Sequence, residues 1–352
     1  MQAHIGDWLV IPPAPHEPHG RRGQIVEIPH PDGSPPYRVR WLEDEHLSLV
    51  FPPPDAQVQT PRAQPVVLVA VDGSASSIQA AHWAAGLHLS ARPRLRLAHV
   101  AHETGRDTPE WLRELSDDLH RGGTDNTVDV IASDELGSEL VKLSGEVDLL
   151  VVGSYGEGSG GGVRVGFAGL ELADGATCPV AVVRGREQES PIPDHGVVAV
   201  GVDGSPESVA ALGLAAELAE GWGANLLVLH TWRDVVDEPG HGIHRVPESW
   251  DKMAAEATAL LAGAVETTRA AHPELAIEHR VVADGPVSAL LDVAPGARLI
   301  VVGSRGTRPK PGMLMGSTSR GLIEFSPCPV LVVRPQATRR AERLTTAPAG
   351  VG

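Results

Sequence analysis

Toward its carboxyl end the chain reads GSRGTRPKPGMLMGSTSR, from Gly303 to Arg320. Gly303 and Gly306 lie on a turn without side chains, where a ligand can approach the backbone and its amides closely. After nine intervening residues Gly316 is followed by Ser317, Thr318 and Ser319, three hydroxyl side chains opening the helix pattern GSTSRGLIEF. A helix start exposes unpaired N–H groups and a partial positive charge, and small hydroxyl residues both cap it and donate to phosphate oxygens. The chemistry these residues can perform is to hold a polyanion. Their spacing is not GxxxxGK[ST], and Lys310 stands in mid-loop; nor is it the dinucleotide fingerprint, because the glycines follow a late strand and not the first. By composition alone they serve equally well as turn formers.

The elements that must position this stretch occur twice. VVLVAVDGSASS from Val66 matches VVAVGVDGSPES from Val197, an offset of 131, whereas VDLLVVGSYG from Val147 and TCPVAVVRG from Thr177 match ARLIVVGSRG and PCPVLVVRP at an offset of 150. His99 aligns with His230 at the shorter offset and Asp134 with Asp284 at the longer one. The second copy therefore carries 19 extra residues in or near DVVDEPGHGIHRVPESW, which reads as an extended loop before a helix.

Each copy alternates β-branched apolar runs, without strict polar alternation, and amphipathic helices. That pattern predicts a five-stranded parallel sheet covered on both faces, a doubly wound α/β/α domain. Two such domains are expected over 64–185 and 195–335, joined by the polar, proline-containing GREQESPIPDH and followed by a loose tail over 336–352. Residues 1–57 differ. Short β-like pieces (DWLVI, GQIVEI, YRVRWL, LSLVF) divided by Pro/Gly/Asp turns predict a small all-β barrel.

In an open parallel sheet, ligands collect at the carboxyl ends of the strands where strand order reverses. Three elements of the second copy are expected to meet there: VDGS with Asp203, HTW with Thr231, and the glycine stretch. Asp203 reads either as a ligand contact or as a turn former, and Asp72 stands in the same local context in the first copy. That copy keeps Gly153, Gly156 and, after nine residues, Gly166, but continues Phe167-Ala168-Gly169 where the second has three hydroxyls.

Other chemistry is weaker. Ser74 and Ser205 are not in GxSxG and read as helix caps. The histidines of HGIH and HEPH lack the cysteine pairs of a zinc site, and no structural metal is expected. Cys178 and Cys328 sit in apolar runs and read as buried thiols. A net charge of −16 argues against a general nucleic-acid binder. No window is apolar enough for a signal peptide or a membrane span, so the expected location is cytoplasmic. Trp8, Tyr37 and Trp41 could line a peptide groove or fill the barrel core.

The pattern Gly303-x2-Gly306-x9-Gly316-Ser317, with Asp203 after the first strand and CPVLVV as the last, resembles the universal stress protein family in its ATP-binding branch. The resemblance implies an adenine nucleotide alpha hydrolase-like fold that pairs through its last strand, and here an internal pseudo-dimer of the two copies, with a homodimer as a further assembly. It implies ATP, with or without Mg²⁺, as the ligand. Asp203 and the backbone near Val202 and Thr231 would hold adenine and ribose, and Gly303, Gly306, Gly316, Ser317, Thr318 and Ser319 the phosphates. The first copy, with Asp72, Gly153, Gly156 and Gly166 alone, would bind weakly or not at all. Residues 1–55 resemble a small actinobacterial-type domain of unknown function with an SH3-like barrel. The function expected is a regulatory, stress-responsive nucleotide binder acting on an unidentified protein partner. The alternatives are a slow Mg²⁺-dependent ATPase or phosphotransferase, for which no general base is assignable, and an interaction scaffold that binds no nucleotide.

Overall fold

The computed structural model describes residues 3, 7–11, 21–30, 32–41, 46–54, 56–59, 64–89, 91–101, 107–154, 167–184, 192–232, 235–238, 242–245, 250–307 and 315–334. Residues 155–166 and 308–314, and the stretch 336–352 expected as a tail, lie outside them. The chain divides into two compact units, 1–63 and 64–352.

The first unit is one antiparallel sheet of five strands: β1 (Trp8–Ile11), β2 (Arg21–Glu27), β3 (Tyr37–Trp41), β4 (Leu47–Val50) and β5 (Gln57–Gln59), in the order β4-β3-β2-β1-β5. Strict alternation in YRVRW puts Tyr37, Val39 and Trp41 inside with Leu9 and Ile25. Tyr37 and Trp41 are thus core residues and not groove walls; the side chain of Trp8 is outside the described set.

The second unit holds both repeats. The first runs β6 (Val66–Ala70), α1 (Ala75–Ala85), β7 (Arg94–Ala101), α2 (Glu110–Arg121), β8 (Asn126–Ala132), α3 (Leu136–Ser144), β9 (Leu149–Gly153), α4 (Phe167–Gly175) and β10 (Val180–Val183). The second repeat starts with β11 (Val197–Gly201), α5 (Pro206–Trp222) and β12 (Leu226–Thr231). The inserted residues form a two-stranded hairpin, β13 (Val235–Glu238) with β14 (Gly242–Arg245), where a loop was expected. Then follow α6 (Trp250–Ala271), β15 (Ile277–Val282), α7 (Pro286–Val293), β16 (Ala297–Gly303), α8 (Ser317–Phe325) and β17 (Val330–Val333).

These strands build one sheet in the order β15-β12-β11-β16-β17-β10-β9-β6-β7-β8. Pairing is parallel within each repeat, and the repeats join where β10 and β17 run antiparallel. That junction is centred on Ala181 opposite Leu331, which are equivalent positions of the two copies, so a pseudo-two-fold axis passes between them. Burial on both faces explains the continuous apolar runs: β10 and β17 are buried at every position, whereas the edge strand β15 (IEHRVV) exposes its polar middle. One core lies under α1, α2, α5 and α6, and the other under α3, α4, α7 and α8; each is continuous across both repeats. Among the described residues no helix is long and apolar enough to cross a membrane.

On the first face the repeats are locked by Trp222 at the end of α5. Its indole N–H donates to Gly86 O at 2.6 Å, its ring meets Trp83 edge-on at 6.2 Å, and the Arg298 guanidinium stacks 4.2 Å from its centre. Next to it, a Cβ on Gly221 would overlap the carbonyl oxygen of His88. Gly263, in the middle of α6, is exposed and has nothing within 4 Å of such an atom. Gly221→Ala is therefore expected to destabilise by about 1–3 kcal/mol through overpacking, and Gly263→Ala to stabilise by roughly 0.5–1 kcal/mol through helix propensity. Thermal melts of the two variants beside the parent chain check this pair of opposite signs.

Candidate functional site

Strand β11 is flanked by β12 on one side and β16 on the other, so the chain leaves it in opposite directions and a crevice opens at the carboxyl ends. Asp203 follows β11, Thr231 ends β12 and Gly303 ends β16. The three elements expected to meet are therefore neighbours.

The VDGS turn is built by Asp203 itself. Its Oδ1 accepts from the Ser205 amide at 3.0 Å and hydroxyl at 2.6 Å, while Gly204 supplies the positive φ of 83°. Ser205 then caps α5, accepting from Ser208 N at 3.2 Å, as expected of a cap. The other carboxylate oxygen, Oδ2, accepts the Thr307 amide at 3.0 Å, and a Cβ on Gly306 would come within 2.5 Å of it. Asp203 thus ties the end of the first strand to the glycine turn after the fourth. Burial works against its ionisation, but the bonds from Ser205, Thr307 and Ser208 outweigh that and hold its pKa below the ordinary carboxylate value.

The glycines have different reasons. At Gly303 a Cβ would stand 2.8 Å from Glu207 Cβ and 3.1 Å from Ser208 N, so close packing of β16 on the start of α5 excludes any side chain. Gly153 faces Ser76 in the same way, 2.8 Å from its carbonyl carbon. Gly316, the N-cap of α8, has φ −71° and ψ 158°, which any residue adopts, and a Cβ there would meet only ordinary contacts at 3.4 Å or more. Among the described residues nothing requires a glycine at Gly316. Its amide is fixed by Ser304 O at 2.7 Å, and Ser304 N by Val333 O at 2.6 Å.

The helix α8 begins its own ladder at Arg320 N to Gly316 O, which leaves the Ser317, Thr318 and Ser319 amides without intrahelical acceptors. Ser317 is exposed and Thr318 half-buried, but Ser319 is buried and its hydroxyl donates to Gly303 O at 2.7 Å. Of the three expected phosphate hydroxyls, that of Ser319 instead braces the helix against the strand. Ser304 Oγ, fully buried between the two glycines of the turn, has no partner among the described residues.

Val202 is buried, its amide bonded to Leu229 O and its carbonyl 2.6 Å from His230 Nδ1. His99 contacts Val71 O in the first repeat at 2.9 Å. The two histidines, only alignment landmarks in the sequence, secure the residue before each aspartate; their recurrence was the signal that could have found them.

In the first repeat Asp72 makes the same turn, with Ser74 N at 3.0 Å and Ser74 Oγ at 2.6 Å. The position of Ser319 is taken by Gly169, so no hydroxyl can brace α4 on Gly153. Trp111 stands 3.1 Å from where a Gly73 Cβ would be and meets His99 edge-on, whereas the smaller Leu260 covers Gly204. Gly156 and Gly166 lie outside the described residues.

The site can bind through amides and hydroxyls; no nucleophile paired with a base is present at it among the described residues. A group with phosphates fits the start of α8, where the Ser317, Thr318 and Ser319 amides have no intrahelical acceptor and where, among the described residues, packing leaves room at the N-cap.

The family model of the universal stress protein family matches residues 65–184 and 196–334, and that of a domain of unknown function (DUF1918) matches residues 1–58. The universal stress protein Rv2005c of Mycobacterium tuberculosis is 32% identical over 298 residues, spanning 78% of this chain and 98% of its own. A universal stress protein of Mycolicibacterium smegmatis is 31% identical over 294 residues, 77% of this chain and 97% of its own. The crystal structure of a universal stress protein from Archaeoglobus fulgidus superposes with a TM-score of 0.56 at 21% identity, covering 76% of this chain and 98% of that one, a likeness of fold.

Because the Asp203 carboxyl is held below its unfolded value of 3.8, its contribution to stability is present above that pH and is lost as pH falls through the depressed folded value. Asp203→Asn must turn an amide NH₂ toward a donor, and is expected to cost about 1–3 kcal/mol at neutral pH while flattening the acid limb of the stability profile. Urea unfolding between pH 3 and 7 measures both effects.

Proposed function

The chain belongs to the universal stress protein family, and we propose that it binds ATP at the carboxyl ends of β11, β12 and β16 as a regulatory nucleotide binder. Asp203 and the backbone at Val202 and Thr231 receive adenine and ribose. The phosphates lie on the amides of Ser317, Thr318 and Ser319 and on the Ser317 and Thr318 hydroxyls, while Gly303 and Gly306 let the turn after β16 pack closely on α5 and Asp203 beside them, and the Gly316 amide stays on Ser304 O. Helix dipole and free amides together favour an anion there. The carboxylates at the mouth are engaged, Asp203 by Thr307 and Glu207 by Arg305 at 3.8 Å, so Mg²⁺ enters with the nucleotide's own phosphates.

The observation that carries this reading is Gly316: a glycine at a helix start where neither backbone geometry nor packing among the described residues asks for one. Its G-x2-G-x9-G-S context is the part of the sequence that resembles the family's ATP-binding branch. The second repeat is the main site, because α4 begins with Phe167-Ala168-Gly169 and offers no side-chain hydroxyl. One lost hydrogen bond to a charged group costs about 1.5–3 kcal/mol, or roughly ten- to a hundredfold in affinity. Bound nucleotide then acts on an unidentified protein partner, or on a second copy of the chain, by its differential affinity for the states it meets.

Equilibrium dialysis of the full chain with radiolabelled ATP tests this. One equivalent retained without turnover is expected, and Gly316→Val should abolish retention with little change in melting temperature, since a Cβ there meets only ordinary contacts among the described residues. Hydrolysis of the label would favour the enzyme reading. Two equivalents would overturn the asymmetry of the repeats, and no retention would overturn nucleotide binding.

A further inference from the structure

The repeats exchange a contact that nucleotide binding alone does not explain. Arg184, directly after β10, donates from Nη1 to the carbonyl of Glu324, 2.6 Å away in the last turn of α8. Its equivalent 150 positions on, Arg334, directly after β17, donates to the carbonyl of Ala173, 3.1 Å away in the last turn of α4. Each repeat thus caps the helix of the other whose amino end follows the glycine turn. The antiparallel junction is the cause: the carboxyl end of β10 lies beside the start of β17, which is where α8 delivers the chain.

A guanidinium at this place has two effects. It satisfies a carbonyl that helix geometry leaves without an intrahelical partner, and its charge favours a dipole whose positive pole is at Ser317. The helix has nine residues, about 13 Å of rise. Its amino end is fixed to Gly303 by Ser319, and its carboxyl end to the opposite repeat by Arg184. Displacement at Glu324 is therefore felt at the amides of Ser317 to Ser319.

We propose that Arg184, a residue of the first repeat, is a positioning residue for the phosphate cradle of the second and sets its affinity for a polyphosphate from across the pseudo-two-fold axis. The inference rests on the nucleotide reading above. The reciprocal contact of Arg334 supports α4, whose amino end lacks the hydroxyls, so the functional effect is one-sided.

The test is equilibrium dialysis of the full chain with labelled ATP and, separately, inorganic tripolyphosphate. The chains compared are the parent, Arg184→Ala, Arg184→Lys and, as a charge control, Arg121→Ala, whose partner Asp118 lies on its own exposed helix face. Arg184→Ala is expected to weaken both ligands about two- to fivefold with an unchanged melting temperature. Arg184→Lys, which keeps a cation and a donor, should restore most of the loss, and Arg121→Ala should bind as the parent does. ATP bound equally by the parent and Arg184→Ala would overturn the positioning role and leave the nucleotide site standing. A loss that lysine does not rescue, or one shared by Arg121→Ala, would overturn it too. Failure of the parent chain to retain ATP would overturn both readings.

Discussion

The antiparallel pairing of β10 with β17 is the constraint on which the second unit depends. Two parallel sheets each end on a strand that is apolar on both faces and has one unpaired edge, and such an edge is a liability in water. Joining them satisfies both edges at once and buries VAVV against VLVV. The same junction makes each hydrophobic core continuous across the repeats, brings Trp222 onto Gly86, and sets Arg184 and Arg334 beneath helices that are not their own.

The crevice of the second repeat is built with little side-chain chemistry. Asp203 spends its carboxylate on the backbone of two turns, His230 on the carbonyl of Val202, and Ser319 on the carbonyl of Gly303. What remains directed outward is a row of amides and two hydroxyls at the start of α8. A site of this kind suits a flexible polyanion, because main-chain donors are held by the ladder behind them and need no reorganisation on binding. The first repeat differs by little: Asp72 keeps both Oδ1 bonds to Ser74, yet α4 opens with Phe167-Ala168-Gly169 and has neither the brace nor the side-chain hydroxyls.

Glycines that look alike in a motif do unlike work. Gly303 and Gly153 let a strand end lie against a helix start, and any domain of this architecture with that packing would need them whether or not it bound a ligand. Gly316 carries no such obligation among the described residues. The distinction is one of distance between a hypothetical Cβ and its surroundings, which no spacing rule contains.

Fold class and repeat structure were legible in the sequence because they rest on local and periodic properties: unbroken β-branched runs for strands buried on both faces, helical periods between them, and turn residues at matched positions. Ser74 and Ser205 were legible as caps for the same reason, since a cap acts within three residues. The hairpin of β13 and β14 was not, because DVVDEPGHGIHR carries turn residues without the apolar alternation that marks a strand. Asp203 could be placed at the crevice but not given its bond to Thr307, which joins residues 104 apart; Ser319 could be counted among the hydroxyls but not turned inward. The crossed contacts of Arg184 and Arg334 were beyond any reading of the chain. A side chain's direction and its distant partner are set only when β10 meets β17, and that meeting depends on the shapes of two finished sheets.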